Sequence, residues 1–368
     1  MSREMSVYLN VLRLFASLSV FLGHCAWLWT PGHFAAFRTY GFADAVLVFF
    51  VLSGFVIGYA VDRKEHTIRV YAVNRAARIY SVALPALVAT FVLDFLGRHL
   101  CPALYSASWG YSTVHPERQF IRSLLFVNEI WWSRSMPGSN GPFWSLAYEV
   151  WYYLVFGLVM FMRGRRRFLA GAAVLALAGP MVAALFPVWL LGYVCYRLSR
   201  RHVVGLRTGW ILSVGCVVLL VLFEIWATHA GLRAQATPLF MHRRQLLQDD
   251  VIALCIAGHL LGMSVVAPRL APLARVVAPA INWASGGTFT LYLFHFPIAQ
   301  LLVAVDPWPH DTWPSIALVL AGTIILVFAV AEVTERRKEI WRHAFIRLAD
   351  ILHDGVHVVA SSRAVFRR

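Results

Sequence analysis

The sequence predicts an all-α, polytopic membrane protein with about ten transmembrane helices, and three observations carry that expectation. Of the 368 residues, 60% are hydrophobic and only 14% are charged, against roughly 25% charged in a soluble globular chain. The apolar residues fall in long runs, and runs of about 18 or more read as membrane spans. The basic residues gather in short segments between those runs, not on one stripe or domain. The net charge of +15 is therefore a topology signal, and nucleic acid is not an expected partner.

Taken in order, the runs predict spans at about 7–29, 42–60, 80–98, 143–162, 168–185, 187–198, 209–227, 250–267, 287–305 and 314–333. The first run is too long for the apolar part of a signal peptide and no small-residue cleavage site follows it. It reads as a span that stays. With the N-terminus inside, 25 of the 33 Lys and Arg fall on inner segments and 8 on outer ones. That bias places both termini in the cytoplasm of a multi-pass inner (plasma) membrane protein.

The stretch 168–198 is the irregular part. Both its flanks are arginine-rich, and Pro180 and Pro187 interrupt it. Its second half, at about 12 residues, is short for a span, so it reads as two short helices or a re-entrant hairpin. Residues 1–333 form one membrane domain, with long outer loops at 99–142 and 228–249. Loops of that length are often functional, and these face the outside. Residues 334–368 form a basic cytoplasmic tail, read as a segment held at the inner surface by anionic membrane lipid. The five cysteines are scattered, with no Cys-x-x-Cys pair. Neither a metal site nor a disulfide framework is signalled, and they read as small apolar residues.

Ionisable side chains within spans are costly and usually functional. Arg13 and His24 share the first span. Eleven residues is three helical turns, so they lie on one face, about 16 Å apart along the axis. Glu149, near the outer start of the fourth span, is expected at a depth close to that of His24. A carboxylate beside an imidazole fixes its tautomer and raises its basicity; packing roles for both remain open. Arg75 and Arg78 lie at i and i+3 on a helix entering the membrane from inside. Paired guanidinium groups suit phosphate, although simple anchoring by positive charge explains them too.

Together these residues resemble the acyltransferase-3 family of membrane acyltransferases, which O-acylate surface and exported glycans. The resemblance runs over nearly the whole chain and keeps the order of the family's motifs. Arg13, ten residues and His24 resemble its first-span motif, and Phe49-Phe50-Val51-Leu52-Ser53-Gly54-Phe55 its second-span signature. Arg75-Ala76-Ala77-Arg78 resembles its Arg-x-x-Arg pair, and Phe143-Trp144-Ser145-Leu146-Ala147-Tyr148-Glu149 its Trp-Ser-Leu-x-x-Glu motif. Tyr292-Leu293-Phe294-His295 resembles a later element. Many members carry a second glutamate after the first; here Val150 takes that place, which is closer to the exopolysaccharide-modifying branch. Some members append a soluble hydrolase-like domain. None is seen here, so transfer is expected to be completed by the membrane part and its loops.

The resemblance implies no bound cofactor and an acyl-CoA co-substrate, acetyl-CoA the leading case, used from the cytoplasm. The acceptor is a glycan or lipid-linked saccharide. Arg13, Arg75 and Arg78 would hold the donor's phosphates. His24 would deprotonate a sugar hydroxyl or briefly carry the acyl group, and Glu149 would orient it. Ser53, Trp144, Ser145, Tyr292 and His295 would support them. A transporter or flippase of a lipid-linked or small substrate is the main rival. It favours paired halves with broken helices, which the sequence does not display.

Overall fold

The computed structural model describes residues 1–28, 43–106, 114–231, 246–310 and 312–365. Among them the secondary structure is helical, with no strand. The principal helices are α1 (Arg3–Leu28), α2 (Ala43–Arg63), α3 (Ile68–Leu100), α4 (Pro116–Leu124), α5 (Trp144–Phe161), α6 (Arg166–Ala178), α7 (Pro180–Arg200), α8 (Leu206–His229), α9 (Leu246–Val266), α10 (Ala271–Ser285), α11 (Thr288–Ala304), α12 (Trp313–Val333) and α13 (Lys338–Val365). Each of the ten expected spans has its helix. Eight segments of the described residues are long and apolar enough to cross a membrane by length and composition, and α11 is a shorter apolar helix. The chain is a multi-pass all-α membrane protein.

α3 shows why the Arg75-x-x-Arg78 pair is ordered. It has 33 residues, about 50 Å at 1.5 Å per residue, well beyond the roughly 30 Å hydrocarbon layer. Thr67 caps its start, accepting from the Val70 amide at 3.3 Å. Both arginines therefore sit inside regular helix, not in a loop.

The 168–198 stretch breaks at Gly179, not at Pro187. Gly179 has φ +95, a backbone region that favours glycine, and Pro180 opens α7. Pro187 is carried inside α7, whose 21 residues are long enough to cross. The short limb is α6, with 13 residues. The segment before α5 meets it: the Trp131 amide donates to the Ala178 carbonyl at 2.9 Å.

α2 and α7 pack backbone to backbone. A Cβ on Gly54 would overlap the Trp189 carbonyl, and one on Gly192 would overlap the Val51 carbonyl. Small residues at such contacts let membrane helices approach closely, and this approach delivers the Trp189 indole to Ser53.

Two elements differ from the sequence expectation. The segment after the eighth span contains α10, which packs on α1 and is tied to it by Asn10 donating to Asn282 at 2.9 Å. The basic tail is also more than a lipid-held segment: α13 packs along α3. Residues 107–113 of the first expected outer loop and 232–245 of the second lie outside the described residues. The described part of the first loop is a fixed cover. The Trp151 indole donates to the Phe126 carbonyl at 3.0 Å, and Ser139 donates to Asp94 through its amide (2.7 Å) and hydroxyl (2.6 Å).

Asn140 makes the contact of that cover with the greatest structural consequence. Pro297 lies inside α11 and has no N–H, so the Leu293 carbonyl four residues earlier loses its helical partner. The buried Asn140 amide replaces it at 2.8 Å and also donates to Thr90 Oγ1 at 3.0 Å. Asn140→Ala is expected to leave that carbonyl unpaired, at a cost of about 1–3 kcal/mol. A lower unfolding midpoint of the purified protein in detergent checks this; an unchanged midpoint would remove the role.

Candidate active site

A cavity of about 620 Å³ opens among α1, α2, α3, α5, α11 and α13. Its lining contains Arg13, Ser53, Arg75, Arg78, Ser145, Glu149 and Tyr292. Residues singled out from five separate motifs thus meet in one space. Tyr153, Glu65 and Lys338 line it as well.

The basic end is formed by Arg13 of α1, Arg75 and Arg78 of α3 and Lys64 at the end of α2. Arg75 is committed: it donates to Glu65 Oε1 at 2.7 Å, and both side chains are largely buried, at 15% and 4% exposure. The Tyr71 and Tyr153 rings flank its guanidinium at 5.8 and 5.7 Å. Asn74 adds a third group, donating to the same Glu65 oxygen at 2.9 Å. Arg13, Arg78 and Lys64 have no carboxylate partner within ion-pair distance among the described residues.

The middle is formed by Glu149. Ser53 and Tyr153 both donate to its Oε1 at 2.5 Å. Trp189 donates to Ser53 Oγ at 3.1 Å. Tyr153 lies four residues after Glu149, one turn along the same face, so its role was readable from spacing. Trp189 reaches the site only through the α2–α7 contact, which no local pattern announces.

The far end is formed by Tyr292 and Ser145, whose hydroxyls are 2.6 Å apart. Phe49 meets the Tyr292 ring edge-on at 5.3 Å. Trp144 packs edge-on against Phe50 and Tyr148.

Just past Tyr292 stand two histidines. His24 Nδ1 and His295 Nε2 are 2.9 Å apart, and the rings stack at 5.1 Å. His295 Nδ1 donates to the Leu291 carbonyl at 2.8 Å. His295 Nε2 is then an acceptor, so His24 Nδ1 must donate to it. The proton of neutral His24 is thereby held on Nδ1 and the lone pair on Nε2. This is how an oriented histidine is prepared as a base.

The expected pairing of His24 with Glu149 is corrected by this geometry. Glu149 is bonded to Ser53 and Tyr153, while His24 meets His295, Phe296 and the Val20 carbonyl among its contacts. The reason is depth. Ser145 and Tyr292 touch, α5 runs toward the basic end and α11 away from it. Glu149 is four residues beyond Ser145 and His295 three beyond Tyr292. At 1.5 Å per residue they are displaced in opposite directions, about 10 Å in total.

The chain matches the acyltransferase domain of the acyltransferase-3 family over residues 6–332. One relative, from Bacillus subtilis (strain 168), is named "Putative peptidoglycan O-acetyltransferase YrhL". It is 25% identical over 374 aligned positions, covering 86% of this chain and 52% of the relative. This chain therefore spans about half the length of that protein. No solved structure matches. The matched region takes in α1 through nearly all of α12, and with it every motif residue gathered around the cavity. The chain belongs to the acyltransferase-3 family, and the matched region is that family's acyltransferase domain.

Proposed function

We propose that this protein moves an acyl group, acetyl the leading case, from cytoplasmic acyl-CoA to a hydroxyl of a glycan outside the plasma membrane. One observation carries the reading: a single cavity runs from a basic end to the Tyr292 and Ser145 hydroxyls, with an oriented histidine pair directly beyond. The relative's printed name points to peptidoglycan as one acceptor class. The 25-to-8 distribution of basic residues supports a basic end that faces the cytoplasm.

Arg13 and Arg78 then meet the donor's phosphates, and the pantetheine arm reaches along the cavity past Ser53 and Glu149. The thioester stops near Tyr292. His24 Nε2 takes the proton of the acceptor hydroxyl while its oxygen attacks the thioester carbonyl. The new O–acyl bond forms and the C–S bond breaks; the leaving thiolate takes the proton from the His24 imidazolium, which returns to its neutral form, and departs as the thiol toward the basic end.

Glu149 acts through charge in this scheme. At about 10 Å and an effective dielectric constant near 20, a carboxylate stabilises an imidazolium by roughly 1.7 kcal/mol, about 15- to 20-fold in rate. Glu149→Gln keeps an oxygen for Ser53 and Tyr153, so the fold should persist while transfer falls by about that factor. Mass analysis of surface and exported glycans from cells with no protein, wild type or variant tests both statements. Glycans identical with and without the protein would overturn the function. Normal acylation by Glu149→Gln would leave the carboxylate a packing role.

A further inference from the structure

The family match ends at residue 332, yet the cavity does not. Lys338, Glu339 and Arg342, all in the first turns of α13, line it together with Arg13 and Arg78. We propose that α13 completes the donor site: Lys338 binds a phosphate of acyl-CoA, and Arg342 is the positioning residue that holds the helix there. This rests on the acyl-CoA reading above and deepens it.

The helix is fixed over the basic end by contacts of its first half. Arg342 Nε donates to Asn74 Oδ1 at 3.1 Å, on the turn of α3 that carries Arg75 and Arg78. The Phe345 ring packs on Tyr80 at 5.8 Å, and Asp350 pairs with Arg69. Just before α13, one carboxylate oxygen of Glu335 accepts from the Phe289 and Thr290 amides at 3.1 and 2.9 Å. Glu335 thereby caps the start of α11, the helix that carries Tyr292 and His295.

The charges explain what such a placement is for. Nearby carboxylates are already occupied: Glu335 by the start of α11, Glu65 by Arg75, and Glu339 by Arg342 at 3.3 Å. Lys338 stands in the electrostatic field of Arg13 and Arg78, offset in part by Glu335 and Glu339. Lys338 has no carboxylate within ion-pair distance among the described residues. Three like charges gathered at one mouth repel one another, and a polyanion placed among them relieves that repulsion. A compact lysine ammonium suits phosphate as a point charge. Coenzyme A carries several phosphate charges and fits this seat; a single anionic lipid headgroup would answer to the tail's charge alone.

The test uses the full-length protein in a neutral detergent, with coenzyme A as probe and phosphate-free pantetheine as control. Lys338 is exposed at a helix start, so Lys338→Gln should fold normally, which an unchanged unfolding midpoint verifies. Coenzyme A affinity should drop roughly ten- to a hundredfold in Lys338→Gln, the range for losing a hydrogen bond to a charged group. Lys338→Arg should restore most of it, and pantetheine affinity should not move. Equal coenzyme A affinity in wild type and Lys338→Gln overturns the proposal. So does an effect confined to binding of anionic vesicles, which returns the tail to a lipid anchor. If wild type itself binds no coenzyme A, the donor reading falls first and this inference with it.

Discussion

Replacing His24 with alanine is expected to abolish acyl transfer while the protein still inserts and folds. His24 is the ring whose tautomer the structure determines. His295 holds its Nδ1 proton, and the Leu291 carbonyl in turn holds His295. The lone pair on Nε2 is what a sugar hydroxyl needs, and general-base steps contribute roughly 100- to 10,000-fold. His295→Ala removes the partner but leaves the base, so its loss should be smaller. The two variants together should be little worse than His24→Ala alone, because residues acting as one unit are not additive. Protein amount by immunoblot and transfer in isolated membranes separate lost chemistry from lost protein.

Arg75→Ala is expected to destabilise the protein strongly, and Arg78→Ala to weaken donor binding. The two arginines read alike in the sequence, as a helical i, i+3 pair suited to phosphate. The structure gives them different work. Arg75 is bonded to the buried Glu65; removing one partner of a buried ion pair strands the other charge, at about 3–5 kcal/mol. Arg78 lines the same cavity with no such partner among the described residues, so its loss should act on ligand and not on fold. Thermal unfolding in detergent and coenzyme A titration should therefore sort the variants in opposite orders. A normal unfolding midpoint with lost coenzyme A affinity in Arg75→Ala would return that residue to the phosphate seat.

Much of the bundle was legible because each source of the signal is local. Apolar run length finds a span, and eleven residues between Arg13 and His24 find a shared face. Ordered motifs then brought Ser53, Glu149, Arg75, Arg78 and Tyr292 to notice, and all of them line one cavity. What local pattern cannot supply is which helix stands beside which. His24 and His295 are 271 residues apart, and nothing in either motif marks the other as its partner. Depth was misjudged for a related reason. Judging Glu149 level with His24 required span boundaries, and an error of one turn on each of two antiparallel helices moves them apart by about 10 Å. The tail was misread because charge was the loudest feature there. Its packing depends on Phe345 and Arg342 meeting Tyr80 and Asn74, a tertiary match invisible in composition. α10 was missed because its two prolines and Arg275 read as a loop between spans.

The most direct measurement places purified protein in sealed vesicles of one orientation, with labelled acetyl-CoA and a glycan acceptor on opposite sides. With acetyl-CoA at the basic end, wild type should acylate the glycan across the bilayer, and His24→Ala should not. Transfer that requires donor and acceptor on the same side, or that proceeds normally without His24, would contradict a path that carries the acyl group from Arg13 and Arg78 through the cavity and past Tyr292 to the histidine pair.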